Sequence, residues 1–127
     1  MARGAPGRSR RLTDCEPETT PLVFGDHRVS LCYETPAGET GDAKAGIWAS
    51  GQAGLLWFFD RGNAEVLIKV LDGCSINGHR WVFVGPVTDV AFNLVVTDGE
   101  GREWVHRNAQ GMTAQTRADT AAFSCRE

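Results

Sequence analysis

Cysteine is the residue type in this chain whose number and spacing most restrict the chemistry. The sequence holds an even set of four, Cys15, Cys32, Cys74 and Cys125. Their wide spacing and the lack of a C-x-x-C pair support neither a zinc ribbon nor a thioredoxin-type redox site. Disulfide bonding is therefore the chemistry that this set indicates, and four cysteines can pair in three ways.

We favour the pairing that joins Cys74 to Cys125 and Cys15 to Cys32. The first bond would tie a central loop to the C-terminal segment and close about fifty residues, worth about 4 kcal/mol by loop entropy. The second would fasten the N-terminal segment to the first clear strand. Four reduced thiols and the other two pairings stay open as alternatives. Disulfides in a small β-rich chain indicate an oxidising compartment.

Several turns of the sequence offer oxygen ligands of the kind that calcium prefers. The calcium candidates are Asp60, Asn63, Asp72 and Asp89. None has the spacing of a calcium loop, and Asp and Asn are common in turns for backbone reasons. No ligand spacing supports zinc through the histidines, His27, His79 and His106. We therefore predict neither a metal nor another cofactor.

A hydrolase would need a nucleophile, a base and an orienting acid that meet in space. Ser75, His79 and Asp72 lie close together in the sequence, but their spacing alone does not show that they converge. The chain contains no G-x-S-x-G and no H-E-x-x-H motif. We predict no catalytic residues, and a small hydrolase is the last of the alternative functions.

Four tryptophans are many for 127 residues, and tryptophans on the face of a β-sandwich can stack against sugars. Trp57 and Trp81 lie in runs that are apolar at every position, which predicts that both belong to the core. Trp48 and Trp104 have polar neighbours, which predicts a half-exposed pair on a ligand or partner surface. This pair is the basis of the main alternative function, a carbohydrate-binding module.

The charge distribution argues against nucleic acid as a partner. The net charge is −3 at pH 7, but four arginines place +4 on residues 1–11, so the remaining residues carry −7. An acidic body offers no basic face to a phosphate backbone. No apolar run approaches the roughly 20 residues of a membrane span. The N-terminus is basic but lacks the apolar middle of a signal peptide, so we expect an arm or a linker there.

Short apolar runs separated by turn residues predict strands through most of the chain. Residues 54–85 hold three such runs, with the turn sequences DRGN and DGCSINGH between them. Clean alternation predicts further strands at residues 28–34 and 89–97, and a DGEG turn leads into a returning strand at 102–107. Residues 35–46 are predicted to form a polar loop, residues 118–123 one helical turn at most, and residues 121–125 a last strand that its cysteine holds in place.

About seven strands at hairpin spacing predict an all-β fold, an antiparallel immunoglobulin-like β-sandwich, with a small β-barrel as the alternative. Folds of the βαβ type are excluded because no window carries a long helical repeat. Residues 1–20 contain almost no apolar side chains, so we expect a flexible lead-in there. Residues 21–127 are long enough to form a single domain with its own core.

The central part of the chain also resembles a module that recurs at the C-termini of large secreted or surface bacterial proteins. In that module WFF-D-x-x-N precedes V-K-V-L-D-G, then N-G-x-x-W-V-F, then T-D-V-x-x-x-L-x-V-T-D and a closing A-F. The corresponding pieces here are residues 57–60 with Asn63, then 68–73, 77–83, 88–98 and 122–123. The first strand, HRVSLCYE, departs from the pattern, and members usually follow a long multidomain chain.

The resemblance implies an extracellular β-sandwich that is appended to other domains, and it carries over no catalytic residues. We therefore predict a non-catalytic structural or adhesive accessory domain, located outside the cell or at its surface. Its partner would be another protein or a second copy of the chain. The alternatives are a carbohydrate-binding module and, after it, a small hydrolase.

Overall fold

Two open antiparallel sheets make up the computed structural model, which describes residues 14–125. The first sheet contains β1 (Leu22–Phe24), β2 (His27–Glu34), β3 (Thr40–Asp42), β8 (Ala91–Thr97) and β9 (Glu103–Asn108). The second contains β4 (Lys44–Ala49), β5 (Ala53–Trp57), β6 (Ala64–Gly73), β7 (His79–Pro86) and β10 (Arg117–Ser124). A single helical turn, α1 (Cys74–Asn77), connects β6 to β7. The predicted antiparallel β-sandwich is confirmed.

The order of strands positions the candidate site. In the first sheet β2 pairs with β8 and β8 with β9, while β1 and β3 share the other edge of β2. The second sheet has the order β10-β7-β6-β5-β4, so four consecutive strands form a meander. The seven-strand immunoglobulin fold places at most two consecutive strands side by side. The two-sheet architecture is therefore as predicted, while the order in which the strands are connected differs from that of the seven-strand immunoglobulin fold.

The core lies between the sheets and follows from the alternation of side chains along each strand. Its fully buried members include Val29, Leu31, Leu56, Val66, Ile68, Val82, Val84, Phe92, Leu94 and Val96. Burying one side chain of this kind contributes about 1.5–3 kcal/mol. A slip of one residue in any of these strands would turn its apolar row outward, so the core fixes the register.

The structure has ten strands instead of about seven because polar segments also pair. The strands β3 and β4 occupy residues that were predicted mainly as a loop, and β10 occupies the predicted helical turn at residues 118–123. The predicted last strand is thus confirmed, and no helical turn forms at residues 118–123. The helix of the described residues lies in the DGCSINGH turn instead. It ends at Gly78, whose φ of 78° is a conformation that favours glycine.

Residues 14–20 lie on the side of the first sheet that points away from the core. The bond between Cys15 and Cys32 holds them there, and the Asn93 side-chain amide donates to the Cys15 carbonyl oxygen at 3.1 Å. The Asp42 carboxylate accepts from the backbone nitrogen of Thr19 at 2.6 Å. This cover explains why Cys32 is buried although it points away from the core. The rest of the predicted lead-in, residues 1–13, lies outside the described residues.

Candidate functional site

The structure contains two disulfides, Cys74–Cys125 and Cys15–Cys32, which are the favoured pairs. No cysteine of the described residues is free. The Cys125 backbone nitrogen also donates to the Gly78 carbonyl oxygen at 3.0 Å, next to the first bond. The turn that carries α1 is thus fixed to the end of β10 by a covalent bond and by a backbone hydrogen bond.

The calcium candidates do not meet. The Asp60 carboxylate accepts from the Gly62 backbone nitrogen at 2.8 Å in the turn between β5 and β6, and the Asn63 amide donates to Glu65. Asp72 lies at the other end of β6, about 30 Å away by strand length. Asp89 is exposed in the link between β7 and β8. These side chains serve separate turns, as the backbone explanation expects.

Zinc ligands do not converge either. The three histidines lie on three different strands, β2, β7 and β9. Within residues 14–125, the one group with the spacing of a metal site is Asp72 with Cys74 and Cys125. The two sulfur atoms of that group are bonded to each other, so neither is the thiolate that zinc requires.

Ser75, His79 and Asp72 surround α1 without forming a hydrogen-bonded triad. The Asp72 carboxylate accepts from the Cys74 backbone nitrogen at 2.9 Å. The His79 Nδ1 atom lies 3.1 Å from the Asn77 carbonyl oxygen. In the part of the chain that the structure describes, no hydrogen bond joins Ser75 to His79. Two of the three groups are therefore engaged in stabilising the turn.

Trp104 does not lie on the surface with Trp48, contrary to the sequence prediction. Trp48 is 50% exposed on β4, whereas Trp104 is only 6% exposed. The Trp104 indole nitrogen donates to the Asp119 carboxylate at 2.8 Å, and this hydrogen bond lowers the pKa of Asp119. The Arg117 guanidinium lies 4.4 Å from the centre of the indole. Side chains of β10 cover Trp104, so the two tryptophans form no common platform.

Trp57 and Trp81 are not in the core, which corrects the second part of that prediction. Both are half-buried on the face of the second sheet that points away from the first sheet. We call this surface the outer face. Its side chains come from alternate positions of β5, β6 and β7 and are Leu55, Trp57, Leu67, Lys69, Leu71, His79, Trp81 and Phe83. The outer face is therefore mostly apolar.

Trp81 is held in one orientation on the outer face. A Cβ atom on Gly73 would overlap the indole, so the ring lies across the glycine. The indole nitrogen donates to the Asn77 side-chain oxygen at 3.0 Å. The Asn77 side-chain nitrogen in turn donates to the Thr120 carbonyl oxygen at 2.7 Å, within the bulged stretch of β10. The disulfide of the same turn thus stabilises the position of the ring.

Two ionisable groups with shifted pKa, His27 and Asp98, lie at one end of the first sheet. Burial lowers the pKa of His27, and the attraction of Asp26 only partly opposes it. The Nδ1 atom of His27 lies 3.1 Å from the Asp26 carboxylate, and Nε2 is buried without a partner among the described residues. Burial alone would raise the pKa of Asp98, but hydrogen bonds from Arg102 and Glu100 outweigh it and lower that pKa.

Stability should fall as the pH drops from 7 to 5, because one buried and one half-buried histidine resist protonation. Burial lowers the pKa of His27 and of His106, so both bind protons less readily in the folded state than in the unfolded state. Stability is thus complete above the ordinary histidine pKa of 6.5 and is lost below it. Urea unfolding at a series of pH values would give the free energy of unfolding as a function of pH. We expect this free energy to fall less steeply with falling pH in His27→Gln, and less steeply still in the double variant with His106→Gln. An unchanged slope in both variants would contradict this assignment.

Comparisons with protein-family models, with curated proteins and with solved structures return no match for this chain. The resemblance to a recurring surface module therefore stays a prediction. In the described part of the chain, no helix has the length and apolar character needed to cross a membrane.

The residues of the outer face were missed although the sequence contained a signal for them. Runs that are apolar at every position have apolar residues on both faces of a strand, but only one face of a two-sheet sandwich meets the core. The side chains between the core positions of β5 and β7 were thus bound to lie outward. Because the outer face of the second sheet is mostly apolar, it offers a contact surface.

Proposed function

We propose that this chain is a non-catalytic structural or adhesive domain, outside the cell or at its surface, that assembles with a second copy of itself. The single observation that supports this proposal is the edge strand β4. Its residues Ile47 and Trp48 are 83% and 50% exposed. The strand has a hydrogen-bonded neighbour on one side only, which leaves a row of backbone groups open to another strand.

Short length and charge protect the other sheet edges more than they protect β4, which has a register shift between Ala45 and Ala49. The strands β1 and β3 are three residues long, and short edges pair poorly. The Val105 carbonyl oxygen of β9 accepts from Arg117 at 2.8 Å, and β10 carries charged Arg117 and Asp119. The strand β4 is six residues long and has one charged side chain, Lys44. Among the edges that the structure describes, it is the one best suited to strand addition.

Self-pairing of β4 is compatible with its side chains. Once β4 is regular across its register shift between Ala45 and Ala49, an antiparallel pair of two β4 strands centred on Ile47 places Trp48 of one copy opposite Gly46 of the other. A glycine opposite an aromatic residue leaves room for the ring, an arrangement that stabilises designed sheets. Lys44 then lies opposite the uncharged Ser50, so like charges do not meet. The same arrangement would join the two second sheets into one continuous sheet.

The two disulfides support the proposed location. Disulfides persist in oxidising compartments and are rare in the cytosol of most organisms. The proposed absence of catalysis rests on the separate turn contacts of Asp72 and His79 and on the lack of a hydrogen bond between Ser75 and His79 in the described residues. Each assignment is part of the proposal and is tested with it.

Ile47→Lys should weaken self-association at least about tenfold, because burial of one isoleucine contributes about 1.5–3 kcal/mol. Size-exclusion chromatography with light scattering over a range of concentrations would measure the dissociation constant. Val87→Lys is the matched control, because Val87 is 75% exposed in the link between β7 and β8. A wild-type chain that stays monomeric at every concentration, or two variants that weaken association equally, would count against the proposal.

A further inference from the structure

We propose that the outer face also binds an acidic polysaccharide, with Trp81 and Phe83 stacking against its sugar rings and Lys69 pairing with its acidic groups. This inference does not depend on self-assembly through β4. It rests on three observations on β6 and β7: two rings with nearly parallel planes, one of them held in place, a cation over the other ring, and a groove at the next position.

The two rings follow each other along one strand with nearly parallel planes. Trp81 and Phe83 are alternate residues of β7, their ring centres lie 6.3 Å apart, and their planes differ by only 14°. The face of an aromatic ring is negative, so it attracts the slightly positive C–H groups on the flat face of a sugar. Two nearly parallel rings in a row thus suit a chain of sugar units more than a single side chain of a protein partner.

Trp81 needs little reorganisation before it binds a ligand. Gly73 supports the indole from below, and Asn77 holds its nitrogen at 3.0 Å. A side chain that is already fixed loses little conformational entropy on binding. Rigid aromatic residues of this kind supply much of the binding energy of many recognition surfaces.

Lys69 gives the surface its preference for negative charge. It pairs directly with Phe83 across the strands, and its ammonium lies 5.5 Å from the centre of that ring. No carboxylate among the described residues forms an ion pair with Lys69, and the outward positions of β5 and β7 carry none, while Glu65 lies at the alternate position of β6 beyond Leu67. A second copy would bring another Lys69 to the same place, so an anionic ligand is the better complement.

The binding surface that Trp81 and Phe83 form on β7 continues beyond Phe83. Gly85, the next outward position of β7, has no side chain, and a groove of about 200 Å³ opens there. Leu67, Thr116 and Ala118 line it together with Phe83. Trp81, Phe83 and the groove follow each other at the spacing of alternate strand residues, about 7 Å. A linear sugar chain can therefore contact all three in succession.

The test is calorimetric titration of the folded chain with four polymers: polygalacturonate, dextran sulfate, neutral dextran and poly-glutamate. Carboxylate and sulfate sugars are two sources of the same chemistry, and binding of either supports the proposal if it weakens with salt. Binding of neutral dextran with equal affinity, or no binding of either acidic sugar, would overturn it. Equal binding of poly-glutamate would also overturn it, because the surface would then recognise charge without sugar rings.

Variants locate the site. Trp81→Ala should weaken binding at least about tenfold, as loss of a central tryptophan does at other surfaces. Lys69→Gln should weaken it about threefold and reduce its dependence on salt. Gly73→Ala should also weaken it, because its Cβ atom displaces the indole while Trp81 stays in the chain. Trp48→Ala and Ile47→Lys should bind normally, which separates this site from the self-assembly at β4. Unchanged binding by Trp81→Ala would refute the assignment.

Discussion

Replacing Cys74 and Cys125 together with serine is expected to lower the free energy of unfolding by about 4 kcal/mol. The bond joins residues that are 51 apart in sequence, and its loss returns that much freedom to the unfolded chain. Such a loss is a large part of the 5–15 kcal/mol that is typical of a folded domain. Urea unfolding of the double variant and of the wild type would measure it.

The same double variant should loosen the ring of Trp81, because Asn77 holds the indole from the turn that the bond fixes. A rise in the mobility of that indole, followed by fluorescence in a background where the other tryptophans are phenylalanine, is the expected sign. The matched control replaces Cys15 and Cys32, whose shorter loop of 17 residues is worth about 3 kcal/mol. That control should be less stable than the wild type but leave Trp81 in place. Equal mobility in both variants would mean that the bond does not position the ring.

Trp104→Ala should cost about 3–5 kcal/mol, as truncation of a buried aromatic side chain does in other cores. The change removes a ring that is 6% exposed, leaves the Asp119 carboxylate without its indole donor, and leaves the Arg117 guanidinium without the ring beneath it. Thermal or urea unfolding would measure the loss. The result tests directly whether Trp104 belongs to the interior.

Trp48→Ala is the natural control for Trp104→Ala, because both residues seemed alike in the sequence. Trp48 is half-exposed on an edge strand, so its removal should change the stability of the monomer by no more than about 0.5 kcal/mol. A similar loss from both substitutions would show that exposure does not separate the two tryptophans. A small loss from Trp104→Ala alone would contradict its buried position.

The architecture could be predicted because its central strands carry their own pattern. The alternation in β2 and β8 put Val29, Leu31, Leu94 and Val96 on one face, and all four are buried. The edge strands β3 and β4 and the first half of β10 could not be predicted in this way. Their residues are polar or exposed, and they are extended because a neighbouring strand supplies their hydrogen bonds. The local sequence of such a strand does not show which strand will lie beside it.

The candidate site was harder to predict than the fold, since the exposure of a side chain depends on distant segments. Trp104 has polar neighbours in sequence, yet Arg117 and Asp119 arrive from another strand to cover it. Trp81 has apolar neighbours, yet no second layer covers its face in the described residues. The turn around α1 showed the same limit, because its Asn77 acts on a ring four positions away. The contact between Asn77 and Trp81 therefore follows from the fold and not from the turn sequence alone.

Hydrogen exchange of the β4 backbone, measured at low and high protein concentration, tests the proposed assembly most directly. If two copies pair along this edge, the amides of residues 44–49 that face outward should exchange more slowly as the concentration rises. The same amides of Ile47→Lys should exchange equally fast at both concentrations. Exchange of the wild-type β4 that does not change with concentration would contradict assembly through this strand.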